Sequence, residues 1–360
     1  MPKASFSAAG ITGIVTCVPR NERRIDDDLE LLGGNVAQLE RIKTVIGLDR
    51  RRIVPEGVTA LDLCEQAARE LLSAGGEGKV APDGLVFVTQ TPDHFQPANA
   101  AVLHGRLGLP EDCAALDVNL GCSGYVYGLW LAHQMIESGG CTKVLLLAGD
   151  TMSRCVNPRD RSVAPLFGDA GSATLIEKRA GPCAFFSLKT CGRGARTIMI
   201  PAGAFRERPC EGASTVTVDT AGNARSRMDL HMDGGEVFNF SIRVEPPAVD
   251  DICRFAGVPL SEVDAFVFHQ ANRYIISNIA RRLKVPLAKA PADTVAKYGN
   301  QSSASIPCTI CDALGEELRS MTKKLVMSGF GVGLSWATCL LEAGPLNTCC
   351  IVEFPAKPIL

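Results

Sequence analysis

The sequence predicts an α/β protein built from two similar halves. Three observations carry this. Short, continuous, β-branched-rich apolar runs such as Leu85-Val86-Phe87-Val88 read as strands buried on both faces. The runs recur in matched pairs. Leu85-Val86-Phe87-Val88 after Asp83 and Val144-Leu145-Leu146-Leu147 after Lys143 correspond to Phe266-Val267-Phe268 after Asp264 and Leu325-Val326-Met327 after Lys324. The spacing is equal: Asp83 to Lys143 and Asp264 to Lys324 both span 60 residues, and the pairs stand 181 apart (264 − 83 and 324 − 143). A polar, turn-like stretch at 178–182 sets the boundary, giving halves 1–178 and 179–360.

The remaining elements follow in order. Residues 61–74 carry apolar positions at helical spacing with charges between them, which predicts an amphipathic helix. Residues 114–118 read as a strand and 125–136 as a helix. Residues 173–176 form the last strand before the boundary. The stretch 196–227, rich in Gly, Arg, Pro and Thr, reads as a surface excursion with one strand near 214–220. Pro246-Pro247 interrupts a helical pattern that begins near Glu236 and reads as the start of the next helix. Residues 328–335 read as a Gly-rich strand-turn-strand.

Composition narrows the function. With 46% hydrophobic and 21% charged residues the chain is globular. Lys+Arg number 37 against 39 Asp+Glu, a net charge of −2, which gives no electrostatic reason to bind nucleic acid. No apolar run reaches the ~18–20 residues that cross a bilayer. The N-terminus lacks the apolar core of a signal peptide. A cytoplasmic protein with its 15 cysteines mostly reduced is expected. Cys308 and Cys311 form one CxxC without a partner pair at zinc spacing, so no metal is expected. After Pro307 they read as one core-facing side of a helix, and Cys349-Cys350 as strand packing.

Four segments carry chemistry. Cys122, in Asp117-Val118-Asn119-Leu120-Gly121-Cys122-Ser123-Gly124, sits at a strand-to-helix turn. There the helix dipole and free amides favour a thiolate, and flanking glycines let a substrate approach. His269 ends the Phe266-Val267-Phe268 strand and precedes Gln270-Ala271-Asn272; carboxyl ends of such strands are where open α/β sheets place their sites. Asn300 follows Gly299 in a small polar run before Pro307, a setting that suits a turn or a substrate-binding carboxamide. The Gly329-Phe330-Gly331-Val332 turn is no phosphate cradle, but its amides suit an oxyanion hole.

Together these segments, with Phe167-Gly168-Asp169-Ala170-Gly171-Ser172-Ala173, resemble β-ketoacyl-acyl-carrier-protein synthase III of the thiolase superfamily. The resemblance covers nearly the whole chain. It implies a thiolase-like fold of two duplicated βαβαβαβ halves in α-β-α-β-α layers. It also implies decarboxylative Claisen condensation of an acyl thioester with malonyl-acyl-carrier protein through an acyl-Cys122 intermediate. His269 and Asn300 are then enolate-stabilising donors, and the amides of Cys122 and Val332 form the oxyanion hole. By the same resemblance Arg41, Arg154, Phe95, Asn272 and Phe330 contact substrate, Phe95 at a dimer interface, and Arg281 and Arg282 meet an acidic carrier protein. No cofactor is implied beyond coenzyme A or carrier-protein thioester substrates, and a homodimer is expected. Arg41 stands where the family stacks a Trp on adenine, and Asn239 where it has a basic residue. These departures keep open an acyltransferase of a specialised pathway working without decarboxylation, and also a non-catalytic partner subunit.

Overall fold

The computed structural model describes residues 2–74 and 80–355. Two mixed sheets carry the chain. The first runs in the order Thr348–Glu353, Ala9–Val18, Ala170–Lys178, Lys143–Asp150, Gly84–Val88, Ala114–Val118. The second runs Lys3–Phe6, Ala184–Thr190, Ser335–Ala343, Lys323–Gly331, Ala265–Phe268. Four consecutive strands match between the sheets in order and sense: two antiparallel pairings followed by a parallel one. The repeat read from the sequence is therefore a repeat of topology. The chain ends cross over. Lys3–Phe6 joins the second sheet and Thr348–Glu353 joins the first.

The 60-residue spacing has a physical cause. In the parallel pairs Leu85 faces Leu145 and Phe266 faces Val326. The Asp83 carboxylate accepts the Thr142 and Lys143 N–H groups at 2.8 Å each, and Asp264 accepts the Lys324 N–H at 2.7 Å. An aspartate thus pins the start of the neighbouring strand in both halves.

Side-chain alternation sets the layers. Val86 and Val88 pack with Val267, Leu325, Met327 and the helix Gly124–Glu137 in a core between the sheets. Leu85 and Phe87 face the helix Ala60–Ser73 on one outer side. Phe266, Phe268 and Val326 face the helices Gly234–Ala256 and Arg273–Leu283 on the other. The result is an α-β-α-β-α stack, as the resemblance implied.

Two local expectations change. Pro246 and Pro247 lie inside the single helix Gly234–Ala256 instead of starting a new one. Proline lacks the N–H that would bond four residues back. The Ile242 carbonyl left over by Pro246 instead accepts an N–H of Arg282, at 3.4 Å. The strand near 214–220 reduces to Thr217–Val218 paired with Ala224–Arg225, after a helical turn Glu211–Ser214. Both residues of Thr217–Val218 are exposed, so no burial extends the pairing. Among the described residues no helix is long and apolar enough to cross a membrane, and no His/Cys/Asp/Glu cluster could hold a metal.

Glu245, on the same helix, is fully buried. Burial pushes its carboxyl up to about 8, against the pull of the Ser328 hydroxyl and of Lys189. The unfolded chain ionises this group near pH ~4.3. The native state therefore holds an extra proton between the two values, and stability falls as pH rises through that window. Glu245→Gln is expected to raise the thermal midpoint at pH 8 by about a few degrees and to change it little near pH 5. Thermal unfolding at both pH values checks this.

Candidate active site

Cys122 stands between the strand Ala114–Val118 and the helix Gly124–Glu137, 8% exposed. It lines a cavity of about 340 Å³ together with His269, Asn300, Asn272, Phe330 and Val332. Its bed is the Gly-rich strand of the other half. A Cβ on Gly331 would lie 2.8 Å from both Cβ and Sγ of Cys122, and one on Gly329 would lie 2.5 Å from the Cys122 carbonyl. Only glycine permits this approach.

His269 follows the strand Ala265–Phe268 and extends its pairing, with its N–H donated to the Ser328 carbonyl at 2.9 Å. Phe330 meets the imidazole edge-on, centroids 5.5 Å apart. Nδ1 lies 2.6 Å from the Ser305 hydroxyl. That oxygen also accepts the Gln270 N–H at 3.4 Å. Burial pushes the imidazole down to about 3, although a hydrogen bond with the Ser302 main chain works the other way. The ring is neutral at physiological pH.

Asn300 is fixed from both sides. Its main chain bridges Phe167: the Asn300 N–H donates to Leu166 at 2.9 Å and its carbonyl accepts from Gly168 at 3.0 Å. Its side-chain oxygen accepts the Ser302 N–H at 3.0 Å, so the carboxamide's NH2 faces elsewhere as a donor. Ser302 holds a left-handed φ of 49°. It reaches all three groups, through its N–H to Asn300, its main chain to His269 and its hydroxyl to the Cys122 sulfur.

Burial pushes the Cys122 thiol up to about 11, and the Asp150 charge adds to this. Hydrogen bonds from the Val332 N–H, the Ser302 hydroxyl and the Cys122 N–H oppose it. This reverses the expectation of a thiolate favoured by the helix end: desolvation outweighs the dipole. The same contacts put the Val332 and Cys122 N–H groups at the sulfur. Asp150 is buried and binds both halves. One oxygen accepts the Gln90 N–H at 2.7 Å and the other accepts the Ser303 hydroxyl at 2.7 Å.

Of the other residues singled out in the sequence, Asn272 and Phe330 line the cavity, and Asn272 also caps its helix by accepting the Ile275 N–H at 2.8 Å. Arg41 does not line it. That residue is exposed at the end of Val36–Arg41, and Gln38, Ile42 and Ile46, spaced one helical turn apart, form the wall. Arg154 does not line it either; it donates to the Pro55 carbonyl at 3.1 Å and faces two other cavities. The guanidinium in the wall is Arg161. Arg154 ends the short 3-10 turn Met152–Arg154 and Arg161 lies in an irregular stretch, neither with a periodicity by which sequence pattern could tell them apart. Phe95 is 70% exposed on another cavity, its ring 5.3 Å from that of Phe205. Arg281 and Arg282 remain exposed on Arg273–Leu283. Sequence reasoning missed Ser302, Ser305, Gln38 and Arg161; the two serines lie within the small polar run between Asn300 and Pro307.

The layered double sheet places the protein in the thiolase-like class. Residues 116–192 match the family model 3-Oxoacyl-[acyl-carrier-protein (ACP)] synthase III, and residues 253–343 match its C-terminal counterpart. The chain is 34% identical to a β-ketoacyl-acyl-carrier-protein synthase III of Lactobacillus delbrueckii, over 84% of this chain and 90% of that one. It overlays the crystal structure of a 3-oxoacyl-acyl-carrier-protein synthase from Burkholderia xenovorans with a TM-score of 0.91 and 39% identity, covering 98% of this chain and 99% of that one. A second solved 3-oxoacyl-acyl-carrier-protein synthase III gives a TM-score of 0.86 and 38% identity, over 93% and 99%. The chain belongs to the 3-oxoacyl-acyl-carrier-protein synthase III family.

Alkylation of Cys122 by iodoacetamide, followed by intact mass, is expected to accelerate from about pH 7 to about pH 10 without levelling. Asp150→Asn removes the second cause of the raised value and is expected to move the profile to lower pH. A wild-type rate that levels below about pH 9 contradicts this assignment.

Proposed function

We propose that the protein condenses an acyl thioester with malonyl-acyl-carrier protein, releasing carbon dioxide and a 3-oxoacyl-carrier protein. One observation carries the reading. A buried thiol shares its cavity with a neutral imidazole and a carboxamide whose acceptor oxygen is already occupied. Such a set supplies hydrogen-bond donors beside a nucleophile and has no strong base.

The steps follow from the geometry. The Cys122 sulfur attacks the primer's thioester carbonyl. The N–H groups of Cys122 and Val332 hold the oxyanion. The carrier thiolate leaves with the proton from sulfur, and the acyl group stays on Cys122. In malonyl-carrier protein the bond to the carboxylate then breaks. Its electron pair forms an enolate, whose oxygen takes hydrogen bonds from His269 Nε2 and the Asn300 NH2. The enolate carbon attacks the acyl-Cys carbonyl, the C–S bond breaks, and Cys122 leaves as thiolate and recovers a proton from water. The alternative without decarboxylation leaves the paired donors unused.

The partners in this reading are coenzyme A or carrier-protein thioesters and an acidic acyl carrier protein, which meets Arg281 and Arg282. Arg161, in the cavity wall, takes the substrate-binding role expected of Arg154. A homodimer would cover the exposed Phe95–Phe205 pair. All 15 cysteines are free thiols, which suits the cytoplasm.

Cys122→Ala is expected to abolish acyl loading. His269→Ala and Asn300→Ala should keep loading and lose carbon dioxide release by about 100-fold or more, as measured with labelled malonyl-carrier protein. Loss of loading in all three folded variants contradicts the split roles. Ser305→Ala, which removes the hydrogen-bond partner of Nδ1, should slow condensation by about tenfold with loading intact, and Ser305→Thr should recover it.

A further inference from the structure

A separate cavity of about 320 Å³ adjoins the one at Cys122, and Phe167 lines both. Arg23, Arg51 and Arg154 line it. The only carboxylate in its lining is Glu56, which is exposed. Arg51 is 2% exposed. The buried Asp28 accepts two hydrogen bonds from Arg51, at 2.6 and 3.1 Å, and pairs with Arg23 at 2.7 Å. One carboxylate thus serves two guanidinium groups, leaving one positive charge in excess.

Glu56 is exposed to solvent, and Ser153 is already committed. Ser153 gives its N–H and its hydroxyl to Asp169, at 3.0 and 2.6 Å. Asp169 also accepts the Val54 N–H at 2.9 Å, and its charge acts on Arg154. The charge excess therefore sits at Arg23 and Arg51. Each of these has a buried Nε–H with no acceptor. Buried donors on a charged group are rarely left unmet, and guanidinium forks match tetrahedral oxyanions best.

We propose that this cavity binds a small phosphate-type oxyanion, inorganic phosphate or a small phosphate monoester, between Arg23, Arg51 and Arg154. The anion supplies acceptors to the two Nε–H groups and balances the excess charge. Cys122 does not line this cavity, so the anion's seat is distinct from the thioester channel.

The test compares the thermal midpoint of the full chain in chloride, in inorganic phosphate and in glycerol 3-phosphate, at matched pH and ionic strength. A site that binds the folded state raises the midpoint by about a few degrees. The increment should vanish in Arg23→Gln and persist in Arg161→Gln, whose guanidinium belongs to the catalytic cavity. An increment from phosphate alone assigns the site to the free ion; one from the monoester alone assigns it to an organic phosphate; either supports the site. Equal midpoints in all three salts, an increment that survives Arg23→Gln, or one that disappears in Arg161→Gln overturns it. If Arg23→Gln does not fold, Arg154→Gln serves in its place with the same expected loss.

Discussion

The catalytic cavity depends on one strained turn. Ser302 adopts a left-handed backbone that a residue with a Cβ takes only at a cost. In return its three polar groups meet Asn300, His269 and Cys122 at once. Asp150, anchored in the first half, accepts the neighbouring Ser303 N–H and hydroxyl and holds the turn in place. The Asn300 main-chain pairing with Leu166 and Gly168 and the Ser305 contact with His269 hold the same loop from its other sides.

This arrangement explains why the site needs both halves. The helix behind Cys122 packs in the shared core between the sheets. The thiol rests on Gly329 and Gly331 of the opposite sheet, at a separation that excludes any side chain. His269 leaves a strand paired in parallel with that same glycine-bearing strand. Register errors in either half would move two of the three groups. The aspartates at 83 and 264 guard against such errors by pinning the parallel pairs at their starts.

Much of this was legible in the sequence, for physical reasons. Continuous β-branched runs and equal spacings revealed the repeat because buried parallel strands leave that trace. Cys122 and His269 stood out because each lies at the end of a readable element, and Asn300 because it follows Gly299 in a small polar run before Pro307. The proline pair misled because the compensating donor, Arg282, lies 36 residues beyond Pro246 and on another helix. The thiol's raised value was hidden because burial and the Asp150 charge are tertiary facts. Arg161 was hidden for a simpler reason: a loop arginine carries no pattern that says which way it points.

The chemistry rests on donors that meet charge only as it forms. In the proposed reaction a neutral imidazole and an NH2 donor would stabilise an enolate oxygen without competing with the thiol for protons, and the deep setting would keep water from the acyl-sulfur bond. The most direct measurement follows the acyl adduct by intact mass through one turnover. Exposure to an acyl thioester should add a single acyl mass at Cys122, and malonyl-carrier protein should then discharge it with one carbon dioxide and one 3-oxoacyl product per adduct. An adduct on another cysteine, or one that outlasts malonyl-carrier protein, would contradict the account.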